Sequence, residues 1–359
     1  MKSALFTLAS AALLAFPGSS QTASAPSAMT SRTYDVKETV TLKAIPADAK
    51  RVRLWVPIPD DGPAQKVLDY SVVDAPGSWS VAPQPEHGNR FLYVEAEPKG
   101  KDTITLTTSF TIRRDPVHVE VDPTAVGKLT DVHRKILAEY LDKDAPNMTV
   151  TPAIQKMADD ACGAEGAVIS QVTKLWTLVA DSADHYSKDP SKPKCGRGNA
   201  EDCLAQGGGC CTDLHSLFIS LARARGIPSR IWFGYRLQAK NDGKDADPGY
   251  RCWVEYFVPN YGWIPTDIVV GDSGAQESRA PWITTLDERR IVTVEGRNFD
   301  LSPKQNGPKV NNVTIGYAEI DGKPVALLPD KDGTPSPLVR NVFFTERKGG
   351  KKAEPGKSN

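Results

Sequence analysis

The chain has 359 residues, 40% hydrophobic and 25% charged, which is ordinary for a globular protein and long enough for two domains or one with large additions. Lys and Arg total 44 and Asp and Glu total 44, so no excess charge draws it to nucleic acid or to an anionic membrane. Lys2, an apolar run from Ala4 to Phe16 and then small residues form a secretory signal pattern over residues 1–28. The run is too short to span a bilayer as a stable helix. The mature protein is therefore expected in the periplasm or outside the cell, with no membrane span.

Residues 29–116 read as a β-sandwich. Tyr34, Val36, Val40 and Leu42 alternate with polar residues; Val52, Leu54 and Val56 form a second strand; Ile104, Leu106, Phe110 and Ile112 form a later one. Asp61-Gly62, Pro76-Gly77 and His87-Gly88 lie between them as turn signals. After Pro116 the period becomes helical, with Val132, Ile136, Leu137, Tyr140 and Leu141 on one face. Thr151-Pro152 starts a second helix, and Ile169, Val172, Leu175, Trp176 and Val179 mark a third that ends near Tyr186. The Lys-, Pro-, Gly- and Cys-rich segment 186–209 is expected to be a long loop walling a cleft.

From Gly207 the sequence reads GGGCCTDLHSLFISLARARGIPSR. Leu214, Leu217, Phe218, Leu221 and Ala222 share one helical stripe, and Gly226 and Pro228 close the helix. Cys211 then sits in the first turn, where unpaired N–H groups and the helix dipole favour an anion, so its thiol is expected to ionise readily. Asp213 reads as a capping residue. Strands follow at 229–237, 250–258 and 262–267, with a polar turn at 241–248. Residues 273–345 read as a β-rich C-terminal extension and 346–359 as a disordered basic tail.

The pair of stretches 207–230 and 249–272 resembles the transglutaminase-like superfamily. The resemblance rests on Cys211 before a helix ending Gly226-Ile227-Pro228, on Trp253 and Glu255 in a strand, and on Asp267 after Gly262-Trp263-Ile264-Pro265. It implies an α+β protein in which the N-terminal sandwich precedes a papain-like core at 117–272. It also implies a Cys–His–Asp site in which Cys211 is the nucleophile and Asp267 orients the base. At the position of the base stands Arg251, a permanent cation that cannot accept a proton. Losing the base of such a triad costs on the order of 10⁴–10⁶ in rate. His215, one helical turn after Cys211, is the substitute considered, and His185 a weaker one. Strand alternation, with the resemblance, turns Arg251 toward Cys211 and Asp267 and turns Cys252 away.

Two functions follow. One is an impaired or inactive cleft that holds a peptide, an amide side chain or an anionic group. The other is an active thiol acyltransferase or amide hydrolase on glutamine-type amides that uses His215 as base. No phosphate-binding loop, cofactor motif or metal-ligand spacing stands in the sequence. Export permits disulfides among the six cysteines, and Cys195–Cys203 is the preferred bridge.

Overall fold

The computed structural model describes residues 29–194, 198–246, 251–273, 279–326 and 336–348. The signal pattern, Cys195 and most of the basic tail lie outside them. Twelve strands of four or more residues are labelled in chain order: β1 (Arg32–Leu42), β2 (Val52–Pro57), β3 (Gln65–Asp74), β4 (Ser78–Pro83), β5 (Arg90–Ala96), β6 (Ile104–Arg114), β7 (Ser229–Arg236), β8 (Arg251–Val258), β9 (Gly262–Thr266), β10 (Arg290–Glu295), β11 (Tyr317–Ile320) and β12 (Leu338–Glu346). The helices are α1 (Asp131–Ile136), α2 (Pro152–Cys162), α3 (Val168–Ser182), α4 (Ala200–Gln206), α5 (Cys211–Ala224) and α6 (Ile268–Ser273).

Two sheets share one apolar layer. The first has the order β12-β1-β6-β3; the second has β11-β2-β5-β4 with Lys323–Pro324 at its edge. Every second residue of β1 from Tyr34 to Leu42 is buried, as a strand with one covered face requires. Val40 and Leu42 of β1 and Leu106 of β6 meet Leu54 and Val56 of β2 and Leu92 and Val94 of β5. The C-terminal segment expected as a separate extension is divided between layers. β10 joins the core sheet, β11 pairs with β2, and β12 runs antiparallel to β1 from Leu338 to Glu346. Leu338 and Ala318 complete the shared apolar layer.

The third sheet, β9-β8-β7-β10, is antiparallel and carries the helices on one face. Ile231 and Phe233 of β7, Val254, Tyr256 and Val258 of β8 and Ile264 of β9 pack there with Leu214, Leu217, Phe218 and Leu221 of α5 and Leu175 and Trp176 of α3. A fully buried side chain of this size contributes about 1.5–3 kcal/mol, so the α5 contacts dominate this layer. All fourteen residues of α5 are buried, not the single stripe that its apolar period suggests. Apart from Arg223 Nε, which is buried without a partner, polar groups along it find partners within the protein. Ser216 donates to Gly198 and Thr212 carbonyls, Ser220 to Ser216, and Arg223 to Asp142 and Ser229.

Other elements differ from expectation. The helix read at 132–141 is only the six residues of α1 followed by a 3-10 turn, and Val132 and Ile136 are exposed. The segment 186–209 contains α4, capped by the Asn199 side chain accepting from Glu201 and Asp202 N–H groups. In the turn at 241–248, Asp245 accepts from Asn341 and from the Val342 N–H, which ties that segment to β12.

Candidate active site

The approach to α5 is held by a short parallel pairing of Asp184 with Gly208 and His185 with Gly209. Gly208 has φ +145°, and a Cβ there would fall 2.1 Å from the Asp184 carbonyl oxygen, so no other residue fits. Asp213 then draws the turn together: its carboxylate accepts the Cys210 N–H at 2.9 Å and the Asn199 N–H at 3.0 Å. Burial, reinforced by the Cys210 thiol, pushes its pKa up to about 7. This arrangement sets Cys211 as the first residue of α5, 6% exposed, at the wall of a cavity of about 230 Å³.

Beside it runs a line of hydrogen-bonding groups. The Cys211 and Cys252 thiols are in contact, and Cys252 Sγ lies 3.1 Å from His215 Nδ1. On the far side of the fully buried imidazole, Nε2 lies 3.4 Å from Asp267 Oδ1 and 3.2 Å from the Ile268 backbone nitrogen. Asp267 Oδ2 is gripped by Arg290 through Nε at 3.0 Å and Nη2 at 2.6 Å. Trp176 anchors the end of β9 by donating to Thr266 Oγ1 at 2.8 Å, which holds the carboxylate in place.

The electrostatics of this line follow from burial and neighbours. Burial alone would lower the His215 pKa, but Cys252 and Asp267 raise it to about 9. Burial would raise the Cys252 pKa, but the Cys211 hydrogen bond and the His215 cation hold it at about 6. Cys211 moves the other way. Its contacts with Cys210 and Cys252, and its burial, raise its pKa well above that of an ordinary thiol. Burial opposes the charge on Asp267, yet Arg290 and His215 keep it ionised. The resting pair is therefore a Cys252 thiolate and a His215 imidazolium, oriented by a carboxylate.

Comparison with known proteins bears on the fold of this region. Residues 155–268 match the family model of the transglutaminase-like superfamily. The chain carries a transglutaminase-like core. A Haemophilus influenzae protein named only as uncharacterized is 24% identical over 336 residues, covering 83% of this chain and 89% of that one. A candidate cysteine protease from Cytophaga hutchinsonii shares the fold with a TM-score of 0.56 at 15% identity, over 92% of this chain and 94% of that one. The periplasmic domain of TgpA from Pseudomonas aeruginosa aligns at 16% identity over 70% of this chain and 94% of that one, with a TM-score of 0.33.

Within the transglutaminase-like core, Cys211, Arg251 and Asp267 border one cavity, and His215 lies behind its wall. Three expectations are corrected. Cys252 does not face away: it is buried against α5, between Cys211 and His215. The guanidinium on Asp267 belongs to Arg290, from β10, whereas Arg251 is exposed at the start of β8. The easily ionised thiol is that of Cys252, held low by the Cys211 hydrogen bond and the His215 cation, whereas contacts with Cys210 and Cys252 together with burial raise Cys211. Only half of the signal for Cys252 stood in the sequence: which residues share its face, not which layer that face meets. Together with Val254, Tyr256 and Val258, Cys252 forms the apolar set of β8, and in the fold this set meets α5.

The opposite parity, Trp253 and Glu255, borders a second cavity of about 520 Å³ beneath the loops that follow β2 and β4. There Arg230 pairs with Glu255 and Glu295 and stacks on Trp263 at 4.2 Å. The five cysteines among the described residues are free thiols. Cys203 is one of them, and Cys195, its expected partner, lies outside the described residues. Among the described residues no helix is long and apolar enough to cross a membrane, and no cluster of His, Cys, Asp and Glu is arranged to hold a metal ion.

Proposed function

We propose that the chain is an exported thiol acyltransferase or amide hydrolase acting on glutamine-type amides of peptides, with His215 as its base. The observation that supports this most directly is the imidazole set between Cys252 Sγ at 3.1 Å and Asp267 Oδ1 at 3.4 Å. In a papain-type site the base contacts the nucleophile directly. Here the Cys252 sulfur stands between His215 and Cys211.

Cys211 is the attacking sulfur in this reading, since it is the more exposed of the two and lies at the N-terminus of a fourteen-residue helix. The Cys252 thiolate takes the Cys211 proton, and the Cys211 thiolate adds to the amide carbonyl. Oxyanion charge develops beside the N-terminus of α5, where the helix dipole is positive. A proton passes from His215 through Cys252 to the leaving nitrogen, the C–N bond breaks, and a thioester forms on Cys211. Water or an amine then attacks the thioester and gives its proton to His215, the C–S bond breaks, and Cys211 leaves with the Cys252 proton, which restores the Cys211 thiol, the Cys252 thiolate and the His215 imidazolium.

The test is ammonia release from glutamine-containing peptides. Wild-type turnover that Cys211→Ala abolishes, and that His215→Asn lowers by about 10²–10⁴-fold, supports this reading. Turnover absent in the wild type and gained in Arg251→His would favour the binding-only reading, in which the cleft holds a peptide without acting on it.

A further inference from the structure

The register of the core sheet gathers arginines at one end. Arg236 of β7 pairs directly with Arg290 of β10, and Arg251 of β8 lies opposite Gly234, two residues from Arg236. Like charges set opposite one another across a ladder repel. All three side chains border the thiol cavity, and Asp267 is the one carboxylate among its described lining residues. That carboxylate is already engaged by Arg290 and His215. Asp287, outside the lining, is divided between Arg290 at 2.6 Å and Arg236 at 3.2 Å. Arg236 Nε is buried without a hydrogen-bond partner. Burial and the like charge of Arg290 also depress the Arg236 pKa, which is the condition an added anion would relieve.

We infer that this end of the cavity holds a carboxylate of the substrate, contacted by Arg251 and Arg236. The acyl donor is accordingly a peptide or amino-acid amide with a free carboxylate close to the amide that is cleaved. The inference rests on the proposed acyl-transfer reading for the word donor, but the carboxylate site itself can be tested by binding. It gives Arg251 a task that suits a guanidinium: its planar fork matches a carboxylate with two parallel hydrogen bonds, whereas it has no capacity to act as a base.

A terminal α-carboxylate and an Asp or Glu side chain offer the same chemistry, so three forms of one glutamine peptide separate them. One ends in a free carboxylate next to glutamine, one ends in an amide, and one ends in an amide with Glu following the glutamine. At least one carboxylate form should be preferred over the neutral amide by about 10–100-fold in KM, with kcat nearly unchanged. Arg251→Ala, at an exposed position, should erase the preference, and Arg251→Lys should restore part of it, with circular dichroism checking that both variants fold. Equal kcat/KM for all three forms in the wild type would overturn the inference while leaving the acyl-transfer reading intact. Should no form be turned over, the acyl-transfer reading fails. Calorimetric binding of the same peptides then decides the carboxylate site: tighter binding of a carboxylate form upholds it and equal affinities overturn it.

Discussion

Replacing His215 by Asn tests the charge state on which the site depends. In the folded protein the Cys252 thiol sits at about 6, well below its ordinary 9.0, although its burial pushes in the other direction. That difference corresponds to about 4 kcal/mol in favour of the thiolate, supplied by His215 and the Cys211 hydrogen bond. At pH 7 such a group is roughly nine-tenths ionised, against roughly one part in a hundred for an ordinary thiol. Asn at 215 removes the cation and leaves the burial. The thiolate absorbance at neutral pH should then disappear, and the pH at which Cys252 is alkylated should move to the ordinary thiol range or above it. Circular dichroism checks the fold, and peptide mapping by mass spectrometry assigns the modified cysteine. A thiolate titration unchanged from wild type would refute the reasoning, because it would mean that His215 is not what holds the charge on Cys252.

Stability should also follow this pair. His215 is raised to about 9, so its contribution is complete below its unfolded value and is lost as pH rises through about 9. Cys252 is depressed to about 6, so its contribution is complete above its unfolded value and is lost as pH falls through about 6. Between about pH 6.5 and 9 the loss from His215 and the gain from Cys252 offset one another, because the folded and unfolded pair then bind the same number of protons, so urea midpoints should be nearly flat across that range, and a steep slope there would refute the paired shifts. Asp267→Asn leaves Arg290 without one of its two buried carboxylates; a loss of about 3–5 kcal/mol in urea unfolding is expected, together with a drop in turnover. Gly208→Ala drives a Cβ against the Asp184 carbonyl, so it should cost at least about 1–3 kcal/mol, read as a lower thermal midpoint. Arg340→Met, by contrast, removes a cation 3.9 Å from Glu38, a hydrogen bond to the Thr314 carbonyl and a contact over the Tyr235 ring. It should deprive the buried Glu38 of that cation and lower stability without changing the site, so kcat per folded molecule should be constant.

The sequence was sufficient to place three of the site's residues. A cysteine followed by an apolar helical period, closed by Gly226 and Pro228, puts Cys211 at a helix start because caps and periodicity are local properties. Its separation by four residues puts His215 one turn along the same helix. Asp267, at the end of a short strand after Trp263 and Pro265, was singled out only by the resemblance to the transglutaminase-like superfamily. Alternation also divided β8 into two sets of residues, but it does not say which set meets the helix.

The tertiary structure decided that point and its consequences. Both faces of the core sheet are covered, α5 and α3 on one side and the loops that follow β2 and β4 on the other, so pleating alone leaves the orientation open. Once the apolar set of β8 turns to α5, Cys252 enters the line between Cys211 and His215, and Arg251 moves to the cavity rim. Arg290 reaches Asp267 only because β10 pairs with β7, a contact between residues far apart in the chain. The partners of β1 and β2 at the C-terminus have the same origin. Helix starts, turns and strand periods are determined by neighbours along the chain, whereas strand order and the choice of covered face are set by which apolar surfaces can be buried together, a property of the whole molecule.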